Sequence, residues 1–221
     1  MAEKGIYDIV FHKIETGKVK KLGNGSWLEL QEIEYIDPNT KAIRKWELCK
    51  RKNCTTENKK NVDAIDIHAI IREVNKPPQI ILVIQFRPPV GRYCIEFPSG
   101  LIDDNETVEA AALRELREET GYHGKIKRIS EPICYEPGLT DSLTKVVDVE
   151  IDLTSIENIN PKQKLEDDEW SLQVLKIPLD NLYDALQKLQ QQHSEEIWID
   201  SRLYNYAFGL NSAKDIYVVD N

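Results

Sequence analysis

Apolar residues change their spacing along this chain near Val62, and the change divides the sequence in two. Before that point short apolar clusters alternate with polar residues. Trp27, Leu28 and Leu30 precede Ile33, Tyr35 and Ile36, then Asp37-Pro38-Asn39-Thr40 supplies turn chemistry, and Ile43 to Cys49 resumes the pattern. This predicts a hairpin-rich β unit from about Ile6 to Arg51. Such a unit is too small to hold a good core alone and is expected to pack on something else. The charged run Lys50 to Asn61 (KRKNCTTENKKN) reads as a connecting loop, with the boundary between an amino-terminal unit, 1–58, and a second domain, 59–221, placed inside it.

From Val62 the apolar runs lengthen. Ala64–Ile71 and Ile80–Phe86 are rich in β-branched residues and read as buried strands, separated by a turn at Asn75-Lys76-Pro77-Pro78. Tyr93–Phe97 is another strand, closed by a turn at Pro98-Ser99-Gly100. A helix is predicted over Val108 to Thr120, with Thr107 as its cap and Gly121 as its stop. Strands follow at Ile129–Tyr135, Thr144–Ile151 and Trp170–Ile177. Leu182, Leu186 and Leu189 give Leu179–Gln192 an amphipathic helical spacing, and Asp200 is placed to cap a last helix through Arg202–Leu210. Strands around a central helix, then late helices, make an α+β or α/β sandwich.

Composition adds limits. Hydrophobic residues at 41% and charged residues at 30% are ordinary for a globular chain of 221 residues. A net charge of −9 argues against a general nucleic-acid binder, so an anionic substrate would need positive charge supplied locally. No apolar run approaches the roughly 20 residues of a membrane span, and MAEKGIYDIV lacks the basic start and apolar core of a signal peptide. Cys49, Cys54, Cys94 and Cys134 show no metal-like pairing and read as reduced packing residues. The expected location is the cytoplasm, with access to the nucleus open. His12, His68, His123 and His193 show no ligand spacing, and Trp170 and Trp198 read as core aromatics.

Candidate chemistry concentrates in Gly100 to Tyr122, GLIDDNETVEAAALRELREETGY. Glu115, Glu118 and Glu119 fall at i, i+3 and i+4, so three carboxylates share one helix face and repel by a few tenths of a kcal/mol per pair. Arg114 is placed to pair with Glu118, which leaves two acids bare; a hard divalent cation would satisfy them, with Glu96 as a further candidate for the cluster. Glycine at position 100 would let the backbone approach such an ion. The plainer reading of three glutamates alone is a solvated acidic face.

The wider segment resembles the Nudix box, G-x5-E-x7-R-E-U-x-E-E-x-G-U with U apolar. Gly100, Glu106, Arg114, Glu115, Glu118, Glu119 and Gly121 occupy its fixed positions, and Tyr122 departs mildly at the last apolar one. A chance match is on the order of one in 10⁹ per starting point. The resemblance implies an α/β/α sandwich with a mixed sheet. It implies Ser99, Glu115, Glu118 and Glu119 as metal ligands, Arg114 orienting them, and Gly100, Glu106 and Gly121 shaping the box. It also implies two or three Mg²⁺ ions, with Mn²⁺ as a substitute.

Other segments are similar to the ADP-ribose/ADP-sugar pyrophosphatase subgroup of that family. Pro137 lies fifteen residues after Tyr122, and Gln85–Pro89, Tyr93–Pro98 and the segments around Trp27 and Trp46-Glu47 match in kind. The subgroup implies a homodimer that exchanges its amino-terminal β unit, with Trp27 and Trp46, one from each chain, sandwiching adenine. Glu47 would read the base edge, Arg51 and Arg87 would hold phosphate or ribose, and Glu96 and Leu101 would touch substrate. The residues alone favour the two tryptophans as hairpin core; the resemblance turns the balance to stacking. A general base is expected in Leu165–Trp170, with Glu169 aligned best and Glu166 next. Glu136 stands where an aspartate is expected, which leaves the sugar preference open, with Tyr135 and Leu139 on the same wall. The implied reaction is hydrolysis of ADP-ribose to AMP and ribose 5-phosphate. The alternatives are a diphosphatase for oxidised guanine nucleotides and a catalytically silent nucleotide-binding module.

Overall fold

The computed structural model describes residues 11–52 and 62–217. Cys54, most of the charged connecting loop, the boundary at 58/59 and the first ten residues lie outside the described residues. The chain divides into two compact units, one of Met1–Lys60 with Cys134–Leu143, the other of Asn61–Ile133 with Thr144–Asn221.

The first unit is an antiparallel sheet of β1 (Thr16–Asn24), β2 (Leu28–Ile36) and β3 (Ile43–Arg51) in that order. Asp37 makes the β2–β3 turn by accepting the N–H groups of Asn39 at 2.9 Å and Thr40 at 3.1 Å, and by pairing with Arg44. Those two backbone donors, ahead of Arg44, hold the Asp37 carboxyl well below the usual carboxylate range. No residue of 11–52 is buried, and Val19, Leu28, Leu30 and Ile43 are exposed. The sheet therefore has no core of its own. Residues 134–143 dock on it: the Trp46 Nε1–H donates to Gly138 O at 2.9 Å, the Cys49 N–H to Leu139 O at 2.8 Å, and Lys50 pairs with Asp141 at 3.0 Å.

The second unit holds β4 (Ala64–Ile71), β5 (Gln79–Arg87), β6 (Arg92–Glu96), β7 (Ser99–Leu101), β8 (Lys125–Ile129), β10 (Leu143–Ile151), β11 (Gln173–Pro178) and β12 (Ile197–Ile199). The two-residue β9 is Ile133–Cys134. The sheet runs β12-β6-β5-β4-β10-β8, with β11 on β5 and β7 on β4. The β10–β4 and β12–β6 pairs are parallel and the others described are antiparallel, so the sheet is mixed.

Alternation along β4 and β5 gives this sheet two buried faces. Ile65, Ile67, Ala69, Ile71 and Ile81 pack under Ala111, Ala112 and Leu116 of α1 (Val108–Thr120). Ile80, Leu82, Ile95 and Phe97 pack against Leu182 and Leu186 of α2 (Leu182–Gln192) and Leu203 and Ala207 of α3 (Ser201–Tyr217). Each fully buried branched side chain contributes about 1.5–3 kcal/mol. The expected α/β/α sandwich is what forms. On the α3 side the buried Asp66 is partnered by Arg202 Nη1 at 2.7 Å and the Thr144 hydroxyl at 3.1 Å.

Local chemistry fixes α1. Thr107 Oγ1 accepts the Ala110 N–H at 3.2 Å, and Gly121, in the left-handed region at φ 75°, donates to Arg117 O at 2.8 Å. Several expectations differ in detail. The strand expected over Ile129–Tyr135 is broken: β8 ends at Ile129 and only the two-residue β9 follows, with Pro132 between them offering no donor to a ladder. Ser99–Leu101, expected as a turn, pairs with β4 as Asp66↔Ser99 and Ile65↔Gly100. α2 starts three residues late, behind a 3₁₀ turn at Leu179–Asn181, and α3 continues beyond Leu210 to Tyr217.

Two tryptophans expected in the core are not there. Trp170 is 72% exposed, because a 3₁₀ turn at Asp167–Glu169 precedes it and β11 begins only at Gln173. Trp198 is 52% exposed, since β12 is a three-residue edge strand, and the Arg92 guanidinium lies 5.7 Å from its ring centre. Cys134, also expected as a packing residue, is exposed, whereas Cys94 is buried; no described cysteine is in a disulfide. No helix among the described residues is long and apolar enough to cross a membrane.

A β-carbon at position 121 would lie 2.4 Å from the Lys162 backbone nitrogen. Gly121→Ala is therefore expected to lower stability by about 1–3 kcal/mol through left-handed strain, and further if the 161–162 backbone is displaced. Chemical denaturation measures it, and an unchanged midpoint would mean that neither constraint is real.

Candidate active site

β6 and β7 run beside the carboxyl-terminal half of α1, and the approach depends on a glycine. A β-carbon at position 100 would lie 1.9 Å from Glu115 Oε1. Only a residue without one lets the strand pass this carboxylate. Next to it the Ser99 N–H donates to Glu119 Oε2 at 3.0 Å. The 3₁₀ turn Asp167–Glu169 brings a third acid. Its ends are closed reciprocally, with the Glu166 N–H donating to Glu169 Oε2 at 2.9 Å and the Glu166 side chain accepting the Glu169 N–H. Glu115, Glu119 and Glu169 then each present an oxygen, all within 4.8 Å of one another.

Of the two acids weighed in the 165–170 run, Glu169 is the one in this group; Glu166 is the cap of its turn. Glu118 is drawn aside. Arg114 Nη1 donates to Glu115 Oε1 at 2.8 Å and to Glu118 Oε2 at 3.2 Å. Its Nε and Nη2 grip both oxygens of Glu106 at 2.9 and 2.8 Å, and Nη2 also reaches Leu101 O at 3.0 Å. Arg114 thus serves Glu115 as well, which helix spacing had left bare. Glu106 in turn accepts the Asp103 N–H at 3.1 Å and closes the loop before the helix.

Glu96 is not in the three-carboxylate group. It is buried and holds Arg87 through two bonds, Nε–Oε1 at 2.9 Å and Nη2–Oε2 at 2.6 Å. This fork geometry fixes the Arg87 guanidinium plane.

The remaining candidates, Leu101 apart, belong to the first unit. Trp27 is 72% exposed at the β1–β2 turn, and Trp46 is 51% exposed on β3 opposite Ile33. Neither is a hairpin core aromatic. Glu47 lies opposite Glu32 and Arg51 opposite Leu28. Glu136 and Pro137 are in the 134–143 segment, where the Leu139 N–H donates to Glu136 O at 2.9 Å. Leu101, on β7, is half exposed.

The three acids disturb one another. Burial, then the charges of Glu115 and Glu169, push the Glu119 carboxyl well above its ordinary range. Burial raises Glu115 to about 7, against the pull of Arg114 and with help from Glu169 and Glu118. Burial also raises Glu169. Conversely, hydrogen bonds from Arg114 hold Glu106 low. Three clustered carboxylates that resist joint ionisation are the donor set a hard divalent cation satisfies. The residues present therefore fit such an ion.

Nothing in the sequence marks the segment that closes this site from below. The Lys164 N–H donates to Glu118 O at 2.8 Å and Gln163 Nε2 to Glu119 O at 2.7 Å, so a chain segment 44 residues away takes the carbonyls at the end of α1. A polar residue in a polar loop gives no signal of such a contact.

Comparison with known proteins agrees with this geometry. A family model described as NUDIX domain matches residues 63–197. The chain is 39% identical to the ADP-sugar pyrophosphatase of Mus musculus over 193 residues, covering 87% of this chain and 85% of that protein. It is 41% identical to the ADP-ribose pyrophosphatase of Saccharomyces cerevisiae over 206 residues, covering 93% and 86%. The solved structure of an ADP compounds hydrolase superposes with a TM-score of 0.63 at 17% identity, covering 96% of this chain and all of that one, a likeness of fold.

Without metal, the raised Glu115 and Glu119 make the folded chain hold more protons than the unfolded chain between about pH 4.5 and about 7. Their effect on stability is thus least adverse below pH 4.5 and grows worse as pH rises toward about 7. His68, pushed down by burial, acts in the opposite sense. It cancels when wild type is compared with Glu115→Gln. In EDTA, the melting temperature of wild type is expected to fall relative to that variant across this window, and Mg²⁺ to remove the fall. Parallel profiles would show that the carboxylates do not oppose one another.

Proposed function

The chain belongs to the Nudix hydrolase family, and from that premise we propose that it hydrolyses the diphosphate of ADP-ribose and ADP-sugars, releasing AMP and ribose 5-phosphate or the matching sugar phosphate. The reaction class rests on one observation above the others, the convergence of Glu115, Glu119 and Glu169 at the end of the box helix. The substrate class rests on relatives of about 40% identity that carry those names.

A divalent metal, Mg²⁺ in two or three copies with Mn²⁺ as a substitute, would neutralise charge on the diphosphate and acidify a water. Glu115, Glu118 and Glu119 would hold it, with Ser99 on the adjoining strand. Arg114, clamped by Glu106, keeps the helix carboxylates in place. Glu169 takes the proton of the attacking water; burial raises its basicity, which suits a general base working near neutral pH. Arg87, held flat by Glu96, presents donors to a phosphate or ribose, and Leu101 contacts substrate beside it.

Trp27 and Trp46 are the adenine faces, Glu47 reads the base edge and Arg51 aids the phosphate side. Their exposure supports stacking over packing. Six residue rows of β2 separate Trp27 from Ile33, the partner of Trp46. At about 3.3 Å per residue that is roughly 20 Å of backbone, more than two stacking contacts of about 4.5–7 Å span. One tryptophan from each of two chains solves this, and a second copy would also cover a sheet without buried residues. The active form is therefore a homodimer that exchanges its amino-terminal unit, 1–58, around the 59–221 domain. Glu136, Pro137, Tyr135 and Leu139 form the sugar wall. Unpaired cysteines suit a reducing compartment, the cytoplasm or nucleus.

Purified protein with ADP-ribose and Mg²⁺ is expected to yield AMP and ribose 5-phosphate, and nothing in EDTA, by chromatography. Cleavage of oxidised guanine diphosphates instead would overturn the substrate, and cleavage of no diphosphate would make the chain a silent nucleotide-binding module. Glu119→Gln, a change of charge with little change of volume, is expected to lower kcat more than about a hundred-fold while the fold persists. Near-normal turnover would sink the metal assignment. Trp46→Ala is expected chiefly to raise KM, and an unaltered KM would remove Trp46 from the base site.

A further inference from the structure

An α-helix ends with backbone carbonyls that have no partner within it. At the end of α1 the Gly121 N–H takes Arg117 O, the Lys164 N–H takes Glu118 O, and the Gln163 side chain takes Glu119 O at 2.7 Å. The same Gln163 nitrogen lies 3.5 Å from Leu172 O, across the mouth of the loop that carries Glu169. The Leu172 N–H donates back to Glu169 O at 2.8 Å, and Ser171 Oγ accepts the Phe86 N–H at 2.9 Å where the loop rejoins the sheet. One side-chain amide therefore bridges the helix end, the loop's entry and its exit. Its anchor is the backbone of Glu119, whose carboxylate lies in the group that Glu169 completes.

We propose that Gln163 is a positioning residue for the reaction, a latch that fixes Glu169 relative to the α1 carboxylates by tying loop 163–172 to the end of that helix. This rests on the reading of Glu169 as the group that takes the proton from water. Gln163 touches neither substrate nor metal ligand carboxylates; its two N–H groups set a distance. The amide is suited to this, since one nitrogen offers two donors to two carbonyls and adds no charge beside three acids. Lys164 fixes only the entry strand of the loop, through its backbone, so no other described bond joins Glu119 O to the exit strand.

The test compares Gln163→Met, which keeps length but has no donor, with Gln163→Lys, which keeps a donor for the helix carbonyl. At saturating Mg²⁺, Gln163→Met is expected to lower kcat about ten- to a hundred-fold with KM within about two-fold, as for a misplaced base. Gln163→Lys, which restores donors but adds a charge, should recover part of the rate, and the melting temperature of both should stay within about 4 °C of wild type. In a Glu169→Gln background, Gln163→Met should cost little more, because the group it positions is already gone. Wild-type kcat in Gln163→Met, or the same fold-loss in both backgrounds, overturns the latch. Glu169→Gln retaining full activity would overturn the base reading and the latch together, whereas an inactive Glu169→Gln beside an active Gln163→Met overturns the latch alone.

Discussion

Three carboxylates within 4.8 Å, one of them almost wholly buried, are the constraint on which the rest of this structure depends. Two ionised acids at that separation repel by on the order of 3 kcal/mol at an effective dielectric of about 20, before any cost of leaving water. A chain left to relax would splay them. What prevents it is a set of features with no other evident purpose. Gly100 removes the side chain that would block Glu115. The Ser99 N–H pins Glu119, and Arg114, clamped from behind by Glu106, faces Glu115 and Glu118. The 3₁₀ turn with its reciprocal cap fixes the third acid. Each is a local hydrogen bond or a missing methyl group, and together they hold a high-energy arrangement on a rigid sheet and helix.

The two units divide the physics between them. The second carries both apolar cores, one on each sheet face, and all of the carboxylate machinery. The first has an ordered sheet, a well-made turn at Asp37 and no buried residue in 11–52. Several of its large side chains are exposed, including the two tryptophans proposed for the base site. A sheet in that state is suited to grip something flat and to lie against another surface. The 134–143 segment is bonded to this sheet through Trp46, Cys49 and Lys50, so the wall assigned to the sugar and one indole assigned to the base belong to a single element. A change in one then shifts the other, which bears on the unusual Glu136.

Where an element is specified by its neighbours along the chain, the sequence made it legible. The helix Val108–Thr120 and strand Ala64–Ile71 form at the expected residues, because a threonine cap, a left-handed glycine and a β-branched run act locally. The box likewise named the carboxylate helix. What escaped depends on partners far along the chain. Ser99–Leu101 has the composition of a turn and becomes a strand only because β4 offers it a ladder. Trp170 and Trp198 are aromatic but sit on a turn and on a short edge strand, where no second layer covers them. Glu118 lies on the same helix face as Glu115 and Glu119 but outside their group, and Gln163 is a polar residue whose meaning lies 44 residues away. Periodicity reports which face a residue occupies, not which group meets it there.

Burial explains why this arrangement is worth its instability. The same desolvation that raises Glu115 and Glu119 strengthens every charge interaction in the site, so an ion bound there acts on a diphosphate with little screening from water. A more open cluster would be easier to ionise and easier to fold around, yet it would hold the cation weakly and leave the attacking water competing with bulk solvent. Glu169 shows the compromise. It is less buried than Glu119 and rides on a turn instead of the helix, which suits the proposed division in which it takes the proton and the helix acids hold the metal. Its place must then be set by bonds outside its own turn, and the proposed Gln163 contact to the carbonyl end of α1 would supply one. The geometry that crowds the acids thus also supplies a point from which the one on the loop is held.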